Sequence, residues 1–361
     1  MEQLNVKLLT HYTHKMAKIE KKIQFYRAYG NEKYKPMIEK LEKKVEALNE
    51  KATLYSGKIK VENETKLVEI QKRLETETDV NRKKELEVSL SIAKDKEDAI
   101  TNEEHILSLS HLSMRFGGLK AVDDLSFSVK KGEIFGLIGP NGAGKTTVFN
   151  CITQFYKSTL GAVYYTDHHG DVHNLNDYPV HKVIDLGIAR TFQNVELIWE
   201  LTVLDNLLVG AHSLFTVNFF EQMLHLPKLK KEEAILRSKA ESILTSLGII
   251  AYKNVIPYGL PYGILKKIEL ARVLMSDPRL IILDEPAAGL NDTETLELAK
   301  TIQNIQKTFG VTIILVEHDM ELVMGICDRI CAMSFGQRLA IGTPTEIQSN
   351  KQVQTAYLGG E

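Results

Sequence analysis

Hydrophobic positions along the chain follow two rhythms, and the change falls near residue 103. Over the first hundred residues apolar side chains recur in alternating steps of three and four: Leu9, Tyr12, Met16, Ile19, Ile23 and Tyr26, then Ile38, Leu41, Val45, Leu48, Ala52 and Tyr55. This is heptad spacing, and each stripe is so narrow that only another helix can cover it. A third run starts at Leu67, Ile70 and Leu74, loses register between Glu77 and Lys84, and resumes at Leu86, Leu90 and Ala93. Gly30-Asn31 with Pro36, and then Gly57, read as the breaks between runs. The pattern predicts three helices over residues 1–103, packed as an antiparallel coiled-coil hairpin or small bundle without chemistry of its own. From residue 104 onward the apolar residues gather instead into short unbroken runs at Glu133–Ile138, Leu280–Leu283 and Val311–Val316. These predict strands buried on both faces.

Composition sharpens this division. With 361 residues, 43% hydrophobic and 25% charged, the chain has ample material for two folded domains, which excludes disorder and collagen. No apolar stretch approaches the roughly 20 residues that span a bilayer, and Met1-Glu2-Gln3-Leu4-Asn5 lacks the pattern of a signal peptide, so a cytoplasmic chain is expected. Three cysteines, Cys151, Cys327 and Cys331, argue against a disulfide framework and predict buried thiols. The net charge of −2 hides an asymmetry: 22 Lys and Arg stand against 18 Asp and Glu in the first hundred residues, and 23 against 29 in the rest. Glutamates interleave the basic stretch from Lys15 to Arg27, so it reads as a solvated face, and no nucleic-acid partner is expected.

The candidate chemistry lies entirely in the second region. The apolar run ending at Ile138 feeds into Gly139-Pro140-Asn141-Gly142-Ala143-Gly144-Lys145-Thr146-Thr147, a complete phosphate-binding loop between a strand and a helix. Glycines let successive N–H groups turn inward onto a phosphate, and the helix that follows adds its positive end. In such a loop Lys145 reaches the β- and γ-phosphates and the Thr146 hydroxyl binds Mg²⁺. A second run delivers Asp284-Glu285 at its carboxyl end, where open α/β sheets bind their ligands. Asp284 is placed to hold the magnesium through water and Glu285 to polarise the attacking water. The third run is followed by Glu317-His318-Asp319, which brings His318 to the same edge, within reach of the γ-phosphate; a helix-capping role for His318-Asp319 is the plainer alternative.

These residues resemble the nucleotide-binding subunits of ABC transporters, over about residues 105 to 361. The resemblance implies a P-loop NTPase core with an antiparallel β subdomain and an α-helical signature subdomain at about 195–277, ATP and Mg²⁺ as ligands, and ATP hydrolysis. The family's signature, which contacts the ATP of an opposing subunit, falls at Leu260-Pro-Tyr-Gly263-Ile-Leu-Lys-Lys-Ile-Glu-Leu-Ala-Arg272. Pro261 and Ile264 replace its usual serine and glutamine, which leaves the Gly263 backbone and the helix start as donors. The resemblance also assigns Gln193 to Mg²⁺ and the attacking water, Phe116 to stacking on adenine, and Ala288-Gly-Leu-Asn291 to the dimer interface. Gly187-Ile-Ala-Arg-Thr-Phe-Gln-Asn, Asp284-Glu-Pro-Ala-Ala-Gly-Leu-Asn291 and Tyr357-Leu-Gly-Gly look like the branched-chain amino acid importer branch, and urea or short-chain amide importers share much of this. The partners so implied are two transmembrane permease subunits, a second ATP-binding subunit, identical or not, and indirectly an extracytoplasmic binding protein, with the chain peripheral on the inner face of the membrane.

Two constellations stand apart. Asp167-His168-His169-Gly170-Asp171-Val172-His173 carries metal-ligand types, yet its place between apparent strands and its His-Gly-Asp sequence predict a hairpin turn. Phe215, Phe219, Phe220, Met223 and Leu224 form an aromatic run that reads as helical core, with docking of a permease segment as the alternative. A soluble ATP-switched regulator of the ribosome-associated ABC type is a rival reading, but such chains usually carry two nucleotide domains and this one carries one. In chromosome-structuring ATPases a coiled coil separates the phosphate loop from the Asp-Glu strand, whereas here it precedes both.

Overall fold

The computed structural model describes residues 35–77, 79–101, 104–191, 195–211 and 227–358, with scattered positions between Asn5 and Arg27. Those scattered positions are all helical, and two helices follow, α1 (Lys35–Thr76) and α2 (Val80–Thr101). Asn5 Nδ2 donates to Glu62 Oε1 at 3.0 Å, Tyr12 stacks on Tyr55 at 5.7 Å, and Arg27 Nη2 donates to Glu42 Oε1 at 2.7 Å. Each step forward in the first segment is matched by a step back in α1, so the two run antiparallel. Leu9, Met16, Ala52 and Ile59 are buried between them, as the heptad stripe requires. The chain reverses again between α1 and α2, and Asn63 Nδ2 donates to the Ala93 carbonyl at 3.2 Å across the two helices.

The break expected at Gly57 does not occur. Gly57 lies inside α1, in open space, and the chain stays helical through it for 42 residues. A glycine within a helix costs only about 1 kcal/mol relative to alanine. The buried positions Ala52, Ile59, Asn63 and Leu67 on either side of it supply packing along the same helix. Leu67, Ile70 and Leu74 therefore belong to α1, and the lost register after Glu77 marks the real turn.

The remainder is built on two sheets. One is antiparallel, in the order β2-β1-β4-β5: β1 (His105–Phe116), β2 (Leu119–Lys130), β4 (Leu160–Thr166) and β5 (Val172–Asn174). The other runs β10-β9-β3-β8-β7-β6, with β3 (Ile134–Ile138), β6 (Ile188–Arg190), β7 (Leu280–Asp284), β8 (Thr312–Val316) and β9 (Arg329–Ser334) parallel, and β10 (Gln337–Gly342) antiparallel at the edge. Alternate residues of its strands enter different cores. Ile281, Leu283, Ile313 and Leu315 pack on the helical side, while Leu280, Ile282, Ile314 and Val316 pack toward the antiparallel sheet. That is why these strands read as unbroken apolar runs.

α3 (Lys145–Ile152) follows β3, and the short α4 (Val180–Val183) precedes β6. α5 (Val203–Gly210), α6 (Pro227–Ser246) and α7 (Tyr262–Leu274) pack on one another. α8 (Asp292–Phe309) connects β7 to β8, and α9 (Met320–Ile326), α10 (Pro344–Ser349) and α11 (Lys351–Leu358) complete the chain. The fold class expected from the sequence is the one observed. Cys151, Cys327 and Cys331 are free and buried, and burial pushes their thiols up to about 11, 12 and 12.

The helical extension is fastened to the antiparallel sheet. Ser110 Oγ donates to Asp95 Oδ2 at 2.6 Å, and the His111 ring lies between Ser91 Oγ at 2.7 Å and Asp124 Oδ1 at 2.5 Å. At the far edge of the sheet, 167–171 form the hairpin turn expected there. Asp167 Oδ1 accepts from the N–H groups of His169 and Asp171, and Gly170 takes a φ of 84°. His173 Nε2 lies 3.0 Å from Asp167 Oδ2 and its Nδ1 lies 2.7 Å from the Tyr178 hydroxyl, so this histidine is a buried brace for the turn.

Candidate nucleotide-binding site

β3, β8, β7 and β6 are neighbours, so whatever follows their carboxyl ends meets along one edge. β3 opens into the loop from Gly139 to Thr147. A Cβ at Gly139 would lie 2.2 Å from the Met333 carbonyl oxygen, and one at Gly144 would lie 2.3 Å from that of Ala121. Gly144 also takes a φ of 99°, which glycine adopts without steric cost. The turn between β9 and β10 supports the loop from behind, where the Gly336 N–H donates to the Ala143 carbonyl at 3.0 Å.

Lys145 is buried, and its ammonium donates to the Gly139 and Pro140 carbonyls at 2.7 and 3.1 Å. Burial lowers its pKa, and the nearby carboxylates of Glu285 and Asp284 pull the other way. Thr146 is exposed beside it, Thr147 is half-buried, and Asn141 and Gly142 are exposed. Asp284 ends β7 with its side chain 9% exposed, and its Oδ2 accepts from Arg190 Nη2 at 2.6 Å. Arg190 ends the adjacent β6, also reaches Asn150 Oδ1 at 2.7 Å, and lies over the Phe149 ring. The sequence reading missed this role for Arg190; its place at the close of a strand feeding the same edge was the available signal.

Glu285 holds a φ of 47°, uncommon for a residue with a side chain, and its N–H bonds the Val316 carbonyl at 2.9 Å. That turn aims its carboxylate at His318, whose Nε2 lies 3.0 Å from Glu285 Oε1. Glu317, also unforeseen, points into the protein. Its Oε1 accepts from the Ala287 N–H at 2.6 Å and its Oε2 from the His318 N–H at 3.1 Å, tying the ends of β7 and β8 together. The capping alternative for His318-Asp319 holds for Asp319 alone, which accepts from the N–H groups of Glu321 and Leu322.

Phe116 is 42% exposed at the end of β1 and meets Tyr156 edge-on at 5.2 Å, so its ring is braced by a second aromatic. Gly263 lies in the first turn of α7, whose preceding Pro261 offers no side-chain cap. Ile264 packs on the helical-side core, which accounts for an apolar residue there. Asn291 caps α8 in a reciprocal box with Glu294. Gln193, and the aromatic run Phe215, Phe219, Phe220, Met223 and Leu224, lie outside the described residues.

A family described as "ABC transporter" matches residues 122–288, and one described as "Branched-chain amino acid ATP-binding cassette transporter" matches residues 337–361. The chain is 43% identical over 254 residues to the high-affinity branched-chain amino acid transport ATP-binding protein LivG of Escherichia coli K12, covering 70% of this chain and 98% of that protein. The chain belongs to the ABC transporter ATP-binding family. Similarity to BraF, the corresponding protein of Pseudomonas aeruginosa, is 42% over 254 residues, covering 70% of this ABC ATPase and 98% of BraF. Among solved structures, the ADP conformation of an ATP-binding cassette of an ABC transporter aligns with a TM-score of 0.60 at 30% identity, covering 71% of this chain and 99% of that one. The ABC ATPase thus spans nearly the full length of these relatives and carries a further segment about as long as its helical extension.

Proposed function

We propose that the chain hydrolyses ATP at the edge built by β3, β7 and β8 and thereby drives a membrane permease that imports branched-chain or related amino acids. The observation that supports this most is the convergence of Lys145, Asp284 and the Glu285–His318 pair at adjacent strand ends. Lys145 exchanges its carbonyl partners for the β- and γ-phosphate oxygens, and the inward N–H groups from Gly139 to Thr147 hold the rest of the phosphate chain. The donor set suits Mg²⁺: the exposed Thr146 hydroxyl, the Asp284 carboxylate whose Oδ1 is not the atom paired with Arg190, and Gln193 are all oxygen ligands. Bound there, Mg²⁺ would neutralise charge that develops between the β- and γ-phosphates. Arg190 keeps Asp284 oriented toward the loop. Glu285 takes the proton of the water that attacks the γ-phosphorus, while the bond to the β-phosphate oxygen breaks to leave ADP and phosphate. His318 orients Glu285 and, with nucleotide present, donates to the γ-phosphate. Phe116, with Tyr156 beside it, stacks on adenine.

The second half of each site comes from an opposing ATP-binding subunit, through Gly263 and the start of α7. The preference for amino acids over amides rests on the match of residues 337–361 to the branched-chain family and on the full-length likeness to LivG and BraF. The permease would hold this subunit on the inner face of the membrane, since none of the helices among the described residues is long and apolar enough to cross it. Glu285→Gln should lower turnover by about 10²–10⁴-fold, the usual contribution of a positioned base, and leave ATP bound in a closed dimer. Light scattering with the partner subunit present checks this; a variant that binds ATP yet never dimerises would refute the role of Glu285.

A further inference from the structure

The hairpin between β4 and β5 does more than turn the chain. Its two adjacent histidines converge on one carboxylate of the helical extension, 148 residues earlier in the sequence. His168 Nε2 lies 2.7 Å and His169 Nε2 lies 3.2 Å from Glu20 Oε2, and the two rings lie 3.7 Å apart. We propose that Glu20, His168 and His169 form a binding site for a divalent transition-metal ion, represented by Zn²⁺, that staples the helical extension to the tip of the antiparallel sheet.

Four observations carry this. The three ligand atoms all lie within 4.8 Å of one another. Ligands arranged tetrahedrally at about 2.0–2.1 Å from zinc stand about 3.4 Å apart, so small side-chain rotations would admit the ion. Next, His169 Nε2 is buried and lies 3.2 Å from Glu20 Oε2 without hydrogen-bond geometry; a ring nitrogen converging with a second imidazole and a carboxylate is the disposition of a metal ligand. Third, two imidazole nitrogens with one carboxylate oxygen suit Zn²⁺, Co²⁺, Ni²⁺ or Cu²⁺, and not Mg²⁺ or Ca²⁺, which take oxygen. Finally, the surroundings are acidic and rigid. Asp167 fixes the backbone of His169 and Asp171, and a carboxylate oxygen of Asp171 is buried without a hydrogen-bond partner among the described residues. The partly exposed His168 leaves a path for the ion and room for a water in the fourth position.

Such an ion joins segments far apart in the chain, the case in which a clip gains most. Acidity sets it apart from a simple ion pair. The ion takes both imidazoles unprotonated, so it competes with protons and binds more tightly as pH rises.

The test uses the full-length, nucleotide-free protein in millimolar Mg²⁺, titrated with Zn²⁺ by calorimetry and with Co²⁺ by visible absorption. One equivalent should bind, with the intense spectrum of tetrahedral Co²⁺. Glu20→Gln should weaken binding by at least about tenfold, the range over which even outer-shell partners act, and His169→Ala should abolish it. Replacing the exposed His181 by Asn should change nothing, and retained ATP binding reports that each variant is folded. Saturable binding that survives both Glu20→Gln and His169→Ala would place the ion elsewhere and overturn the proposal. Absence of saturable Zn²⁺ binding, with Glu20→Gln still lowering the melting temperature, would reduce the cluster to an ion pair and equally overturn it.

Discussion

The edge of the parallel sheet and the seam beneath the helical extension both gather histidines and carboxylates, but they hold them by different means. At the edge, strand register does the positioning. Arg190 and Asp284 close neighbouring strands, are each about nine-tenths buried, and neutralise one another at 2.6 Å. Lys145 is held by backbone carbonyls, and Glu285 is aimed by its own left-handed turn. At the seam the partners are side chains carried on a helix and a hairpin, and they meet only if the two bodies dock. Charge fixed by backbone register should therefore resist local loosening, and charge fixed by docking should report on it.

The widest separation should come from Lys145→Ala, which is expected to lower ATP turnover by about 10³-fold, as loss of a donor to developing charge does, with the seam untouched. Deleting residues 1–103 should do the reverse: ATP binding persists while melting occurs at lower temperature. Loss of nucleotide binding on truncation, measured by fluorescence titration, would break the comparison. Arg190→Ala comes next. It leaves Asp284 charged and buried, and breaking a buried pair from one side costs about 3–5 kcal/mol, to be read as a lower denaturation midpoint of the nucleotide-free protein.

A smaller effect distinguishes the seam by pH. Burial tends to raise Glu20, but the imidazoles of His168 and His169 beside its carboxylate hold it at about 2, while His169 is raised from 6.5. A base raised in the folded state stabilises it fully below 6.5 and loses that contribution as pH rises through the folded value; a lowered acid keeps its contribution above 4.5 and loses it as pH falls toward 2. Without transition metal, the docked extension should thus be firmest in mildly acid solution and loosen as pH climbs past neutrality, followed by calorimetry or by hydrogen exchange across β4 and β5. Least of all, Gly57→Ala should stabilise α1 by about 1 kcal/mol, visible as a small rise in melting temperature, since a Cβ there meets nothing.

What could be read from the sequence follows the same divide. The loop from Gly139 to Thr147, the Asp284-Glu285 pair and His318 were legible because each sits at the end of an apolar run, and all such ends in a parallel sheet face the same way. The Arg190–Asp284 pair was not, because nothing local says that β6 lies beside β7. Glu317 was hidden for a subtler reason: its neighbour His318 turns outward, and alternation sends Glu317 inward to the Ala287 and His318 N–H groups. In the extension the heptads predict helices of antiparallel sense, yet Gly57 reads as a break and is not one, since a glycine's cost is visible in sequence and the packing that offsets it is not. Glu20 could not be joined to His168 and His169 by any spacing rule, because their meeting depends on how a helix pair lies on a sheet.

The register of α1 against α2 has a mechanical corollary. Asn63 lies level with Ala93, so the point where α2 runs into β1 is level with the middle of α1, near Tyr55. From there to the turn after Thr76 is 21 residues, about 30 Å of helix, and a comparable length runs the other way to Lys35. The extension is thus a beam supported near its centre. Each degree of tilt at that support would sweep either tip through about half an ångström, so a small rocking of the ATP-hydrolysing core would be broadcast as a displacement of several ångströms far from the nucleotide.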